Sequence, residues 1–306
     1  MVEGQEDVTW EDWVALAAAC EEHGLEGLFR SDHYASVMGA YDRGALDAWA
    51  TLTALAARTG RIRLGSLVSP ATFRHPSELA KVVATADHVS GGRVELGLGA
   101  GWNEPEHAMY GFEFPEQSSR LERFAEQLEI VHRQWTEDSF DFAGRFYRLE
   151  GCRALPKPLQ SPHPPLIVGG AARRGTVEPA ARWADEYNTT FASIETLRER
   201  RGALDEACGR AGRDPATLRF SLMTTCVVAR DEDALVERAR RVVAITRGSD
   251  PEAFLAENRE TGVVGTVEEA RERLQALEEV GVERVFLQHL DHRDLDMVAL
   301  IGSELV

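Results

Sequence analysis

The sequence predicts an α/β fold, an eight-stranded (β/α)8 barrel with a truncated first strand. Helical and strand-forming segments alternate along almost the whole chain of 306 residues. The strand candidates are apolar on both faces, which is typical of a parallel sheet covered by helices. We count about seven strands besides a clipped one at the start, a number that suits a closed barrel. A doubly wound open sheet is the competing architecture.

The elements of the first half follow in order. Thr9 is suited to cap the first helix, and Pro76 fits the first turn of a later one. The predicted helices span about 9–23, 47–59, 76–90 and 117–136, and the predicted strands lie within 25–34, 61–70 and 93–101.

The second half continues the same alternation. The stretch 139–165 is aromatic and rich in proline, and we interpret it as an inserted hairpin and loop. The remaining strands lie within 164–170, 185–191, 218–229 and 282–290, with helices from about 174 and near 194–211, 231–246, 266–280 and 293–304. No segment resembles a linker, so we expect residues 1–306 to form a single domain.

The first residues are unusual for a barrel. "MVEGQ" leads almost directly into a helix, so only the last residues of a first strand are present. We therefore expect either a start that lies upstream or a barrel closed by a short stub.

Composition excludes several classes of function. The net charge of −17 disfavours binding to nucleic acids and to anionic membranes. Four cysteines without a CxxC pair indicate neither a zinc framework nor a disulfide scaffold. No signal peptide and no apolar run of about 18 residues is evident. We expect a soluble, cytoplasmic protein.

The segment "GLGAGWNEPEH", from Gly97 to His107, raises the question of a cofactor loop. Its glycines follow the pattern GxGxG and not GxGxxG, and Pro105 and Pro115 predict that no helix starts here. A Rossmann dinucleotide site is therefore not expected. Two interpretations remain open: the glycines let a flat molecule approach the backbone, or they pack tightly within the barrel.

Other strand ends carry polar residues that a barrel would gather at its mouth. Asp32 and His33 follow the second strand, where an acid beside a histidine can raise its pKa. The histidines otherwise show no metal-binding spacing, so we expect no metal site. The further candidates are Ser66 and Ser69 at the third strand, Gly169 and Gly170 as an anion nest before a helix with Arg173 and Arg174, and Asn188.

Five stretches in series resemble the luciferase-like monooxygenase superfamily, particularly its branch that depends on the deazaflavin coenzyme F420. They are "GLEGLFRSDHY", "TALAARTGRIRLGSLVSPATFRHPSELAK", "DHVSGGRVELGLGAGWNEPEHAMYGF", "PKPLQSPHPPLIVGG" and "WADEYNTT". The resemblance implies a bacterial-luciferase-like (β/α)8 barrel with an insertion, commonly a homodimer, that holds a flavin or deazaflavin at its mouth.

The resemblance also implies roles for individual residues. Asp32 and His33 match the family's Asp-His pair beside the ring, with His33 a candidate proton shuttle and Glu106 or Glu104 a second acid. Ser66–Leu67 falls where deazaflavin enzymes have a non-prolyl cis peptide. The residues implied to contact the cofactor are Ser66, Leu67, Ala100, Gly101, Trp102, Asn103, Gly169, Gly170, Ala171 and Asn188, of which Gly169, Gly170 and Ala171 match phosphate-binding amides.

The implied function is an oxidoreductase that moves a hydride between reduced coenzyme F420 and a small organic substrate. One alternative is an FMN-dependent monooxygenase that inserts one atom of O2 into its substrate. Another is a barrel that binds flavin or deazaflavin without turnover. We expect specificity to depend on loops 34–46, 139–165 and 246–264, because barrel pockets differ mainly in their loops.

Overall fold

The computed structural model describes residues 1–38 and 41–306, so Gly39 and Ala40 of the predicted specificity loop 34–46 lie outside the described residues. The helices are α1 (Trp10–Glu22), α2 (Ala48–Ala56), α3 (Pro76–Ser90), α4 (Glu104–Tyr110), α5 (Gln117–Thr136), α6 (Arg174–Trp183), α7 (Ile194–Ala211), α8 (Glu232–Thr246), α9 (Pro251–Arg259), α10 (Val267–Glu279) and α11 (Leu295–Glu304). A 3-10 turn spans Pro215–Thr217.

The strands are β1 (Gly27–Arg30), β2 (Arg63–Pro70), β3 (Val94–Gly99), β4 (Phe140–Ala143), β5 (Arg148–Cys152), β6 (Leu166–Gly169), β7 (Glu186–Thr190), β8 (Arg219–Ala229), β9 (Val263–Thr266) and β10 (Arg284–Gln288). The main sheet is parallel and follows the order β1-β2-β3-β6-β7-β8-β10, with β9 paired to β8. The seven strands in this order, without β9, are the seven predicted from the sequence. β4 and β5 form the predicted antiparallel hairpin.

The first residues close the ring of strands. The Met1 amine donates to Leu287 O at 2.9 Å, and Val2 N donates to Phe29 O at 2.9 Å. Residues 1 and 2 therefore bond to β10 on one side and to β1 on the other. This closure confirms the predicted (β/α)8 barrel, and the open sheet is excluded.

The barrel interior is filled by side chains, as is usual for this architecture. An apolar layer contains Phe29, Leu67, Ile167, Met223 and Phe286, with Met1 and Val68 packed against it. Toward the amino ends of the strands, Arg284 Nη1 lies 2.7 Å from Glu95 Oε2 and 3.3 Å from Glu186 Oε2. These charged side chains therefore fill the barrel axis at the amino ends of the strands.

Three elements differ from the sequence predictions. α4 begins at Glu104 with Pro105 in its first turn, so the prediction that no helix starts there was wrong. A proline in the first turn is tolerated because the amide it lacks would have no partner within the helix. α9 and the first two residues of β9 lie within the predicted variable loop 246–264.

A cavity of about 720 Å³ lies in the barrel wall, between β1 and β10 and beneath helices α1 and α11. Its lining includes Leu16, Cys20, Phe29 and Ile301, but His33 and Trp102 do not line it. This cavity is separate from the mouth of the barrel. No helix in the described part of the chain is long and apolar enough to cross a membrane.

Candidate active site

His33 and Glu106 form a hydrogen-bonded dyad at the mouth of the barrel. His33 follows β1, and its Nδ1 lies 2.7 Å from Oε2 of Glu106. Glu106 is fully buried, and the side chain of His33 is 11% exposed. The dyad thus leaves one edge of an otherwise buried imidazole accessible from the mouth.

The backbone fixes the Glu106 carboxylate in place. Its Oε1 accepts hydrogen bonds from the amides of Tyr34 and Ala35, and Asn103 Nδ2 donates to Oε2 at 3.3 Å. Helix α4 carries Glu106 to this position because its first turn follows directly on the loop after β3. Glu104 is exposed. The geometry therefore favours Glu106 over Glu104 as the second acid.

Each member of the dyad changes the pKa of the other. Burial acts to lower the pKa of His33, but the hydrogen bond and charge of Glu106, with Glu3 and Asp32, raise it above its ordinary value. Burial acts to raise the pKa of Glu106, but His33 and the amides of Tyr34 and Ala35 hold it below its usual range. Both directions favour an imidazolium paired with a carboxylate.

Asp32 has a different partner from the one its position beside His33 suggested. Its carboxylate receives Arg74 Nη1 at 2.6 Å and Ser69 Oγ at 2.6 Å, and Arg74 Nη2 also contacts it at 3.3 Å. Asp32 is 2% exposed. This ion pair ties the end of β1 to the loop after β2, and thereby holds the backbone that carries His33.

Trp102 borders the dyad on the solvent side. It is 65% exposed, and its ring meets His33 edge-on with the ring centroids 5.7 Å apart. Ala100 and Gly101 precede it and are half-buried, whereas Asn103 is buried and supports Glu106. An exposed indole beside an accessible imidazole offers a surface for a flat ligand.

The strand glycines make room for Val68. A Cβ atom at Gly99 would lie 2.7 Å from Val68 Cγ2, and one at Gly169 would lie 3.0 Å from Val68 Cγ1. At Gly97 a Cβ would overlap the backbone oxygen of Ser66. Of the two interpretations left open by the sequence, tight packing within the barrel therefore explains Gly97 and Gly99.

The non-prolyl cis peptide joins Leu67 and Val68, one residue beyond the predicted Ser66–Leu67 bond. The pairing of β2 with β3 shifts register between Ser66 and Ser69, so the bulge includes both apolar residues. Leu67 belongs to the inner apolar layer, whereas Ser66 is fully buried and donates to Gly97 O at 3.0 Å. Leu67 and Val68 thus form the floor of the mouth, and Ser66 supports them from behind.

The loop after β6 presents main-chain amides at the start of α6. Gly170 N donates to Asn188 O and Ala172 N to the Tyr187 hydroxyl, so these two amides already have acceptors. The N-terminus of α6, at Arg173, has no side-chain cap. Uncapped first-turn amides are a suitable site for an anion such as phosphate. Ala171 is exposed beside them.

Asn188 is buried in β7 beside Gly169, the last residue of β6. It is 1% exposed, and its Nδ2 donates to Ser221 Oγ at 2.9 Å. Its backbone oxygen accepts from Gly170 N at 3.0 Å, so it holds the loop after β6 in place.

Sequence reasoning missed two charged residues of the mouth, Arg74 and Glu3. Arg74 was not singled out because its partner Asp32 is 42 residues away. Glu3 was missed because the first strand is so short that its inward side could not be assigned. In the described residues 1–38 and 41–306, no three His, Cys, Asp or Glu side chains are placed to hold a metal ion.

Known proteins share this fold and are similar to this chain in sequence. The family profile described as "luciferase-like monooxygenase" matches residues 2–284. An FMNH(2)-dependent dimethylsulfone monooxygenase of Pseudomonas putida is 30% identical over 239 residues, which is 78% of this chain and 63% of that protein. An F420-dependent glucose-6-phosphate dehydrogenase of Nakamurella multipartita is 34% identical over 186 residues, or 60% of this chain and 52% of that protein.

Among solved structures, monooxygenase RslO1 from Streptomyces bottropensis superposes with a TM-score of 0.82 at 25% identity. The match covers 97% of this chain and 92% of RslO1. The chain thus spans one solved relative almost completely, but only 52% to 63% of the two curated relatives.

Proposed function

The chain belongs to the luciferase-like monooxygenase family, and on that premise we propose that it is an oxidoreductase that uses coenzyme F420. In this proposal a hydride passes between the deazaflavin and a small organic substrate at the mouth of the barrel. The observation that carries the proposal is the buried His33–Glu106 dyad, which can supply a proton at the mouth whose apolar floor is Leu67 and Val68.

The residues at the mouth suit a tricyclic cofactor with a phosphate-bearing tail. Leu67 and Val68 provide an apolar floor, and Trp102 an exposed aromatic face, on which a flat ring can lie. The uncapped amides at the start of α6 suit the phosphate, with Ala171 beside them and Arg173 as a neighbouring cation. Gly169 and Gly170 add no side chain to this loop, and Ala100 and Gly101 would border the ring of a bound cofactor.

His33 gives the proton that balances the hydride. A bound reduced deazaflavin supplies the hydride; a carbonyl substrate that receives it also needs one proton on its oxygen. Because the pKa of His33 is raised, the imidazolium is available to donate that proton through Nε2, while Glu106 holds Nδ1. In the reverse direction neutral His33 accepts the hydroxyl proton of an alcohol.

The FMN-dependent alternative shares the same mouth. It is favoured by the 30% identity to the FMNH(2)-dependent dimethylsulfone monooxygenase, which covers more of this chain than the match to the F420-dependent relative. Both cofactors need a flat floor and a phosphate site. A measurement of binding is therefore needed to identify the cofactor.

The test is a titration of the purified protein with F420 and, separately, with FMN, followed by absorbance and fluorescence. We expect saturable binding of F420 by both wild-type protein and His33→Asn, with substrate-dependent turnover lost in the variant. Tight binding of FMN without binding of F420 would overturn the deazaflavin assignment. Binding of F420 with no turnover in a broad screen of alcohols and carbonyl compounds would support a binding protein instead.

We also propose that the chain acts as a homodimer in the cytoplasm and folds as one domain over residues 1–306. The family resemblance supports the dimer, and the four free cysteines are consistent with the reducing conditions of the cytoplasm. The single domain is supported by the hydrogen bond from the Met1 amine to β10, which joins the two ends of the chain. Sedimentation at several protein concentrations tests the dimer, and unfolding in one cooperative transition tests the single domain.

A further inference from the structure

Glu3 lies at the mouth of the barrel, on the inward side of the first residues. Met1 packs against the inner apolar layer and Val2 against the outer core, so alternation directs Glu3 inward. Gln288 is likewise two residues beyond the inward-facing Phe286, and its Nε2 donates to Glu3 Oε1 at 2.7 Å. Glu3 is therefore above the apolar layer, where the strands end.

Neutral amides hold both carboxylate oxygens of Glu3. Gln5 Nε2 donates to Oε2 at 2.9 Å, in addition to the bond from Gln288. Gln5 is fully buried, and its Oε1 accepts from Ser31 Oγ at 2.5 Å. These bonds fix the carboxylate in one orientation without an ion pair. The Met1 ammonium and the buried Arg30 guanidinium are close enough to interact with its charge, but they donate their hydrogen bonds to backbone oxygens.

Unlike the partly buried Glu3, the fully buried acids near the mouth each have a cationic partner. Asp32 is paired with Arg74 at 2.6 Å, Glu106 with His33 at 2.7 Å, and Glu6 with Arg43 at 2.7 Å. Within residues 1–38 and 41–306, Glu3 makes no such ion pair; its side-chain hydrogen bonds come from the two amides. Glu3 is close enough to His33 that its charge helps to raise the pKa of that imidazole.

We infer that Glu3 determines substrate specificity by selecting a polar group that donates hydrogen bonds and has no negative charge. The inference rests on the proposed function, since it concerns the substrate that reacts beside His33. Each carboxylate oxygen of Glu3 has lone-pair capacity beyond the bond from its amide. An alcohol or an ammonium group satisfies this capacity. A carboxylate or phosphate at the same place meets a fixed like charge in a partly water-excluded site.

The substrate class is therefore an uncharged polyol or an amino alcohol, and not a hydroxy acid or a sugar phosphate with its anionic group near His33. Three probes share one CH3–CH(OH)– unit and differ in the group at the third carbon, which is a neutral hydroxymethyl in propane-1,2-diol, a cationic aminomethyl in 1-aminopropan-2-ol and an anionic carboxylate in lactate. Their affinities for the protein without cofactor are read from the ring signals of His33 in NMR titrations, which require no turnover.

Wild-type protein is expected to bind 1-aminopropan-2-ol most tightly, then the diol, with lactate weaker than the amino alcohol by about ten-fold or more. In Glu3→Gln the difference between the amino alcohol and lactate should fall to about two-fold or less. The same substitution should lower the pKa of His33. Glu11→Gln is the matched control, because Glu11 is exposed on α1 and its loss changes the net charge equally.

Equal affinities of wild-type protein for lactate and 1-aminopropan-2-ol would overturn the inference. So would an unchanged preference in Glu3→Gln, or the absence of binding by all three probes to wild-type protein. The wild-type ranking needs no variant, so it remains decisive if Glu3→Gln does not fold. Titration of the same samples with F420 tests the proposed function separately, since the charge preference is measured without cofactor.

Discussion

Glu106 Oε2 lies 2.7 Å from Nδ1 of His33, although the two residues are 73 positions apart in the chain. β1 delivers the histidine and the short helix α4 delivers the carboxylate, so the dyad depends on the barrel being closed and on α4 being formed. A carboxylate on Nδ1 fixes the tautomer and directs Nε2 to the mouth, as is usual for a histidine that moves a proton.

The first prediction separates the two candidate acids. Glu106→Gln should reduce turnover by about 100-fold or more, because the neutral amide no longer stabilises the imidazolium. Glu104→Gln is the matched control; Glu104 is exposed two residues away, so turnover should stay within about two-fold of wild type. Steady-state rates of both variants provide the measurement, and an equal loss in both would contradict the assignment of Glu106.

The second prediction concerns pH. The pKa of His33 is raised above 6.5 and that of Glu106 is lowered below 4.5. The stability contributed by His33 is complete below 6.5 and is lost as pH rises through the folded-state pKa. That of Glu106 is present above 4.5 and is lost as pH falls through its folded-state value. The His33–Glu106 pair therefore contributes most to the free energy of unfolding between about pH 4.5 and pH 6.5.

NMR titration of the imidazole signals measures this directly. In wild-type protein His33 should titrate above 6.5, and in Glu106→Gln its pKa should fall, because the hydrogen bond and charge of Glu106 are lost while burial remains. Carbonyl reduction should decline as pH rises through the same pKa. A His33 that titrates below 6.5 in wild-type protein would mean that the dyad does not carry a shared proton.

The third prediction assigns Asp32 a positioning role. Arg74→Met leaves a buried carboxylate without its cation and should lower the free energy of unfolding by about 3–5 kcal/mol. Adding Asp32→Asn should restore part of this loss, because the unpaired charge is removed. Denaturant unfolding of the single and double variants measures the coupling. Additive losses would show that the 2.6 Å contact between the two side chains contributes little.

The fourth prediction tests why the strand glycines are needed. Gly99→Ala places a Cβ 2.7 Å from Val68 Cγ2 and should destabilise the protein by about 1–3 kcal/mol. Val68→Ala removes the clashing methyl groups, so the double variant should be more stable than the sum of the single effects predicts. Gly60→Ala is the control, because a Cβ at Gly60 would meet nothing within 4 Å. If Gly99→Ala is as stable as wild type, Val68 does not explain that glycine.

Much of the fold could be predicted from the sequence because local signals marked the ends of the helices. Pro76 begins α3 and the left-handed Gly91 ends it, and the left-handed Gly212 likewise ends α7. These helices have the predicted bounds. α4 was missed because Pro105 was interpreted as a helix breaker, although a proline in the first turn is compatible with a helix.

The site was harder to predict than the fold, since it depends on side-chain directions. The sequence placed Asp32 and His33 at a strand end, and the resemblance implied Glu106 or Glu104 as a second acid. Nothing in the sequence showed that Asp32 would pair with Arg74 and Glu106 with His33. Those partners are set by tertiary geometry between elements far apart in the chain. The cis peptide was predicted one residue early for a related reason, because the bulge between Ser66 and Ser69 has no local sequence signal.

The central claim, that the deazaflavin binds at the mouth beside His33, is tested most directly by NMR of histidine-labelled protein titrated with F420. The His33 signals are assigned by their loss in His33→Asn, and the signals of His88, on the outer helix α3, serve as the internal reference. We predict that the His33 signals change in proportion to occupancy and saturate at one F420 per chain, while those of His88 do not move. Saturable binding of F420 that leaves the His33 signals unchanged would contradict the claim.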